Sequence, residues 1–78
     1  MVVKAILQYT DLGDGKNVFS TLAQYDVSVL KTTTPWFSIC PKITIKMNDY
    51  SELNELVSAL NRNCIYEVRV LKTKVIKG

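Results

Sequence analysis

The residues that most often carry out catalysis or bind metal ions are scarce in this chain of 78 residues. It has no histidine, which removes the commonest general base and the commonest metal ligand. Its two cysteines, Cys40 and Cys64, have no C-x-x-C partner, so their spacing does not predict a zinc site. No phosphate-binding glycine loop and no triad-like arrangement of serine occurs. The sequence therefore predicts a protein that is not an enzyme and has no metal ion or cofactor.

Basic residues supply the other chemistry that the sequence offers. Ten lysines and arginines against seven aspartates and glutamates give a net charge of +3, and cations on one face of a sheet can contact phosphates. The residues that would do so lie on the predicted strands: Lys4, Lys42, Lys46, Arg69, Lys72 and Lys74. The lysines nearest the chain end are also typical of an exposed edge strand protected against aggregation.

The aromatic residues argue against a platform for nucleic acid. Single strands stack their bases on aromatic side chains that share a face with basic ones. Here Tyr9, Phe37 and Tyr66 have the parity of the aliphatic core residues, so they are expected to face away from the lysines. A small basic regulator that binds nucleic acid is therefore the alternative function and not the favoured one.

Apolar residues outside the predicted core favour a protein partner. The candidates for partner contact are Ile6, Leu30, Trp36 and Leu71, and such residues clustered on a sheet would form an interaction patch. Trp36 follows a Thr-Thr-Thr-Pro turn, where it could anchor a partner or close the end of the core. The sequence predicts a small non-enzymatic interaction protein that binds a protein, or itself as a homodimer, through an uncovered sheet face or strand edge. The composition also suits a viral or mobile-element accessory inhibitor.

One helix is predicted over about residues 50–62. Asp49 and Glu52 have the spacing of a capping box, and the apolar residues that follow recur at helical spacing: Leu53, Leu56, Val57 and Leu60. Asn63 is suited to a left-handed stop. Because this helix has one apolar face, it must pack on another element.

Strands are predicted where apolar and polar residues alternate, at residues 3–9, 37–47 and 66–70. Pro41 cannot donate to a ladder, so its strand is expected at a sheet edge or with a bulge. The strand, helix and strand over residues 42–71 predict a β-α-β unit, whose crossover is right-handed by strong preference.

Residues 17–25 have two interpretations. As part of a long strand, Phe19, Ala23 and Tyr25 share a face, whereas in a short helix Phe19, Leu22 and Ala23 form the apolar stripe. Low helix propensities over barely two turns favour the strand. The favoured fold is therefore α+β, a mainly antiparallel sheet of about four strands with one helix packed on one face. The alternative is a ferredoxin-like β-α-β-β-α-β arrangement with a second short helix near 17–25.

The segment before this region reads as a turn. Gly13 and Gly15 can take positive φ, and Asp11 and Asp14 suit the same turn for backbone reasons. Weak binding of a cation by the two aspartates is the lesser alternative.

A short repeat links the two halves of the chain. Residues 26–32 read DVSVLKT and residues 67–73 read EVRVLKT, identical at five of seven positions. Two amphipathic strands could arrive at this pattern independently, and so could the duplication of one unit. The repeat predicts two strands, and a helix at 17–25 would make duplication the better account.

The length predicts a single domain over residues 1–78. No signal peptide and no apolar stretch of membrane-spanning length is visible. The two cysteines are expected to be buried thiols that act as small hydrophobic residues. A cytoplasmic location is therefore expected, with no membrane partner.

Overall fold

The computed structural model of the chain describes residues 2–34 and 39–76. Within them lies a four-stranded antiparallel sheet with two helices, which confirms the α+β fold. The strands are β1 (Val2–Gln8), β2 (Val27–Thr33), β3 (Lys42–Met47) and β4 (Arg69–Ile76), and the helices are α1 (Gly15–Leu22) and α2 (Tyr50–Asn63).

The order of the strands in the sheet is β2-β3-β1-β4. Because β1 pairs antiparallel with both β3 and β4, the predicted β-α-β unit is split, and β1 lies between its two parallel strands. The chain order β1 α1 β2 β3 α2 β4 is the β-α-β-β-α-β order of a ferredoxin-like arrangement. β3 begins directly after Pro41, later than the predicted strand over 37–47, and lies inside the sheet, so the predicted edge position is wrong. The bulge in its pairing with β2 lies in β2, between Val29 and Lys31, and not at Pro41.

The favoured interpretation of residues 17–25 as a strand is wrong. Residues 15–22 form α1, close to the position of the second helix in the alternative fold. Val18, Thr21 and Leu22 are the buried residues of this helix, whereas Phe19 is 42% exposed. The poor helix propensities are overridden because burial against the sheet and α2 stabilises a segment too short to be helical alone.

Helix α2 has the predicted start and a different end. The Asp49 carboxylate accepts a hydrogen bond from the backbone N–H of Ser51 at 2.9 Å, which confirms Asp49 as the N-cap. Asn63 belongs to the last turn, and the chain leaves the helix through Cys64 in an extended conformation. The prediction of a left-handed stop at Asn63 is wrong, since no non-glycine residue of the described segments has positive φ.

The core lies between the helices and one face of the sheet. The inward residues of the central strands are fully buried: Val3, Ala5, Leu7, Ile43, Ile45 and Met47. They pack with Val18 and Leu22 of α1 and with the apolar stripe of α2. Side chains alternate across a strand, so the intervening residues of β1 and β3 project from the opposite face, which neither helix of the described residues covers.

Two further expectations concern disulfide bonds and membrane-spanning segments. Cys40 and Cys64 form no disulfide and are each partly buried. Among the described residues, no helix is long and apolar enough to cross a membrane.

Candidate functional site

The uncovered face of the sheet consists of three rows of side chains that run across all four strands. Residues directly opposite each other in paired strands project on the same side, so the strand register identifies the members of each row. In strand order β2-β3-β1-β4 the rows are Ser28, Lys46, Lys4 and Lys74; Lys31, Thr44, Ile6 and Lys72; and Thr33, Lys42, Gln8 and Arg69.

Seven of these twelve positions are basic and none is acidic. We refer to the seven as the basic sheet face: Lys4, Lys31, Lys42, Lys46, Arg69, Lys72 and Lys74. All seven side chains are exposed. The structure thus brings together every basic residue predicted as a phosphate contact.

Lys31 joins this set and was missed by the sequence analysis. Its position in the sheet depends on a bulge that shifts the register of β2 between Val29 and Lys31. The repeat contained a usable signal, because Lys31 occupies the same repeat position as Lys72, which was predicted.

The carboxylates lie outside the three rows. Five of the seven are within α2 or in the segments that precede the two helices: Asp11, Asp14, Asp49, Glu52 and Glu55. Asp26 directly precedes β2 and accepts a hydrogen bond from Asn48, which follows β3, so it lies at the end of this strand pair. The seventh, Glu67, lies at the rim of the basic sheet face, where its Oε1 atom is 2.8 Å from Nε of Arg69. This contact raises the pKa of the Arg69 guanidinium. A net charge of only +3 is therefore unevenly distributed, with most of the cations on the basic sheet face.

The arrangement of lysines on the central strands is electrostatically unfavourable. Lys4 pairs directly with Lys46 on one side and with Lys74 on the other, and like charges directly opposite each other destabilise a sheet. Edge protection accounts for lysines on the edge strands β2 and β4. It does not account for Lys4, Lys42 and Lys46, which lie on the central strands β1 and β3.

The predicted partner-binding residues lie at or beside the same face. Ile6 is half-buried in the middle row, with Lys72 opposite it. Leu30 and Leu71 lie at the bulges of β2 and β4 and are 50% and 45% exposed. Trp36 lies outside the described residues. The three described apolar residues are thus interspersed with lysines, so their apolar surface does not form one continuous patch.

Among the described residues, hollows open on and beside the basic sheet face. One of about 210 Å³ lies between the side chains of Lys4, Ile6, Lys72 and Lys74. The other, of about 320 Å³, lies where β1 ends and β4 begins, and we refer to it as the end groove. Its lining residues are Gln8, Tyr9, Thr10, Cys40, Tyr66, Glu67 and Arg69.

The end groove contains two tyrosines in different environments. Tyr66 is 42% exposed and Tyr9 is 7% exposed. Burial raises the pKa of the Tyr9 hydroxyl, and the charge of Asp11 adds to this effect. Tyr66 therefore presents accessible aromatic surface beside Arg69, so the expectation that it faces the core is wrong. Tyr9 forms part of the groove wall, and Phe37 lies outside the described residues.

Asp14 holds the segment that carries Tyr66. This buried carboxylate accepts hydrogen bonds from the backbone N–H groups of Ile65 at 3.0 Å and Tyr66 at 2.9 Å. The two bonds lower the pKa of Asp14. Asn61 fixes the next part of the chain, since its Oδ1 accepts from the Val68 N–H at 2.7 Å. The start of β4 is therefore positioned by side chains from both helical regions.

The suggested cation site at Asp11 and Asp14 gains no support. Both oxygens of Asp14 are engaged by backbone N–H groups. Within the described segments, no three histidine, cysteine, aspartate or glutamate side chains are grouped so as to hold a metal ion. The site offers cationic contacts, two small hollows and one exposed aromatic ring.

Comparison with known proteins finds a similar fold among solved structures and finds no relative by sequence. No family model and no curated protein matches the chain. Among solved structures, a de novo designed protein, Foldit4, is similar with a TM-score of 0.54 and 16% sequence identity over 97% of each chain. An identity this low concerns the fold alone.

Proposed function

We propose that this protein binds nucleic acid through the basic sheet face, by contacts of its lysines with backbone phosphates. The observation that carries the proposal is the concentration of seven cations on three rows that contain no acidic residue, with Glu67 as the carboxylate at their rim. Cations on a single face are the electrostatic footprint of a protein that contacts phosphates. The proposed role is binding and not catalysis.

The unfavourable lysine pairs support a ligand more specifically than the total charge does. Lys4, Lys46 and Lys74 lie side by side on adjacent strands, which are about 4.8 Å apart. Their mutual repulsion is relieved when an anion with several negative groups lies across them. A nucleic-acid backbone supplies such groups, because each nucleotide carries one phosphate.

The earlier objection from aromatic residues limits the binding mode. The three rows contain no aromatic side chain, so bases are not expected to stack across this face. We therefore propose contact led by phosphates, with a strong dependence on salt.

A matched pair of double variants tests the proposal. Lys4→Gln/Lys46→Gln removes two charges from the basic sheet face, and Lys16→Gln/Arg62→Gln removes two charges from the helices. Affinity for a labelled oligonucleotide is measured over a range of salt concentrations. The first variant should reduce the slope of log K against log salt by about one for each lysine, and the second should leave it nearly unchanged. An equal loss in both would show dependence on net charge alone and would contradict the proposal.

A second candidate is an acidic protein partner, favoured by the exposure of Leu30 and Leu71 beside the lysines. Apolar anchors contribute to protein interfaces and little to phosphate contact. Capture of a protein partner from host extract should then persist after nuclease treatment of the extract. Leu30→Ser/Leu71→Ser should abolish this capture. Loss of that partner with unchanged oligonucleotide affinity would place the protein interaction ahead of nucleic acid.

Self-association through the basic sheet face is not part of the proposal. A face-to-face homodimer would bring two sets of seven cations together, and like-charge juxtaposition at an interface costs several kcal/mol.

A further inference from the structure

We infer that the end groove binds a nucleobase of a single strand whose phosphates lie on the basic sheet face. This inference rests on the proposed function and names the form of nucleic acid that the site selects. The two sites are continuous, because Gln8 and Arg69 line the groove and also lie opposite each other in the third row. A strand that follows the lysines toward the carboxyl end of β1 would therefore arrive at the groove.

Tyr66 is the group that would stack on the base. Its ring is 42% exposed at the groove, and its backbone is fixed by the 2.9 Å hydrogen bond to Asp14. A ring carried on a fixed backbone loses little conformational freedom when a base stacks on it, so it is preorganised for binding. The volume of about 320 Å³ falls at the lower end of the range for small-molecule sites.

Polar groups in the groove can bond to the edge of a base. The Gln8 carboxamide offers both donors and an acceptor, and the Thr10 hydroxyl offers one of each. Glu67 is paired with Arg69 at 2.8 Å, so the guanidinium lies between this carboxylate and an approaching phosphate only if the exposed pair opens or shares its donors. The groove thus combines an aromatic face, edge contacts and an adjacent cation.

A duplex cannot use this groove without opening. Its bases are stacked and paired, and extruding one of them has a free-energy cost. The groove therefore predicts a preference for single strands over duplexes, which the phosphate contacts alone would not give.

The test compares a single-stranded oligonucleotide with an abasic backbone of the same length and charge, using fluorescence anisotropy. The wild-type protein should bind the base-bearing strand more tightly. Tyr66→Ala should weaken binding of this strand by roughly 5- to 100-fold, the range expected for loss of one stacked base, and should leave binding of the abasic backbone unchanged. Tyr66→Phe should retain the affinity.

Tyr50→Ala provides a matched control, because Tyr50 is 43% exposed at the start of α2 and away from the groove. Thermal unfolding of each variant checks that the fold is intact. Equal binding of the two ligands, or equal effects of Tyr66→Ala and Tyr50→Ala, would overturn the inference.

The outcome also separates this inference from the function on which it rests. If the abasic backbone binds and depends on Lys4 and Lys46, the phosphate face is correct even where the base site fails. If neither ligand binds at about 50 mM salt, both fail. An effect of Tyr66→Ala confined to acidic peptides would assign the groove to a protein side chain and reject the base.

Discussion

Asp14 shows how much one residue contributes to the site without touching a ligand. It is buried, and its carboxylate joins the start of α1 to the segment before β4, fifty-two residues away in sequence at Tyr66. Its backbone carbonyl also accepts the Val18 N–H at 2.9 Å. The sequence predicted an aspartate suited to a turn. The contact across the molecule could not be predicted, because the distant partners are backbone groups, which carry no signature in the sequence.

Replacing Asp14 should destabilise the protein in a pH-dependent manner. Its pKa is lowered in the folded state, so the charged carboxylate stabilises the fold above the ordinary aspartate pKa, and this contribution is lost as pH falls through the lower folded value. Asp14→Asn should therefore reduce stability near neutral pH, and its difference from wild type should shrink in acid. Urea denaturation over a pH series measures this.

The matched control for that series is Asp26→Asn. Asp26 is exposed, and its carboxylate accepts a bond from Asn48 at 3.3 Å. The same change of charge at this position should have little effect on the unfolding midpoint. A loss as large as that of Asp14→Asn would mean that the buried backbone contacts are not the cause.

Replacing Lys4 should raise the stability of the protein and weaken its binding of nucleic acid. It faces Lys46 and Lys74 on the neighbouring strands, so Lys4→Gln should raise the free energy of unfolding by about 0.5 kcal/mol at low salt while it weakens oligonucleotide affinity. The gain should decrease at high salt, because exposed charges are screened. Urea denaturation at two salt concentrations measures the first effect. A lower stability of Lys4→Gln at low salt would contradict the repulsion described here.

At the scale of elements, α1 is the part of the fold that the sequence predicted least well. Local propensity was the correct guide for α2, which is long and has a cap at Asp49. It was a poor guide for α1, whose eight residues are too few to be stable outside the tertiary structure. The choice between strand and helix depended on packing against α2 and the sheet, which local sequence does not contain.

Two truncations test the face of α1 that is buried. Leu22 is 3% exposed and Phe19 is 42% exposed, whereas both the strand and the helix interpretation of the sequence placed Phe19 among the apolar residues of the core, which is wrong. Leu22→Ala should lower the free energy of unfolding by about 2–4 kcal/mol, and Phe19→Ala should lower it by less than about 1 kcal/mol. Chemical denaturation of both variants is the measurement, and the reverse order would contradict α1.

The repeat has a structural counterpart in the two edge strands. Both copies follow a helix, both form an edge strand, and both bulge at the equivalent leucine, Leu30 in β2 and Leu71 in β4. The sequence predicted the two strands from this repeat but not the bulges. The structure has a helix before each copy of the repeat. Duplication of one β-α-β unit is therefore a better explanation of the repeat than independent origin of the two strands.

For the whole molecule, the sequence predicted the fold class well and the distribution of charge poorly. Periodicity identifies which residues alternate, and this was enough for an α+β sheet with its core face. The clustering of seven cations required the strand order and register. In the chain these residues are dispersed between positions 4 and 74, so the modest net charge gave little indication of the basic sheet face.

The oligomeric state should reflect this charge distribution. The chain has a mass of 8.8 kDa, and light scattering at low salt should give this value, because two basic sheet faces repel each other. Any association through the face should increase as salt is added. A dimer that is most stable at low salt would contradict this expectation.

The uneven distribution of cations also makes the two sides of the sheet electrically unequal, because seven of the ten lysines and arginines lie on the basic sheet face. In the field of a polyanion such a molecule experiences a torque before it makes contact. If the proposed binding is correct, the molecule would approach nucleic acid with the sheet leading. Electrostatic steering raises association rates by roughly 10- to 1,000-fold, so under the proposed function the placement of the cations, more than the net charge, would set the rate of association.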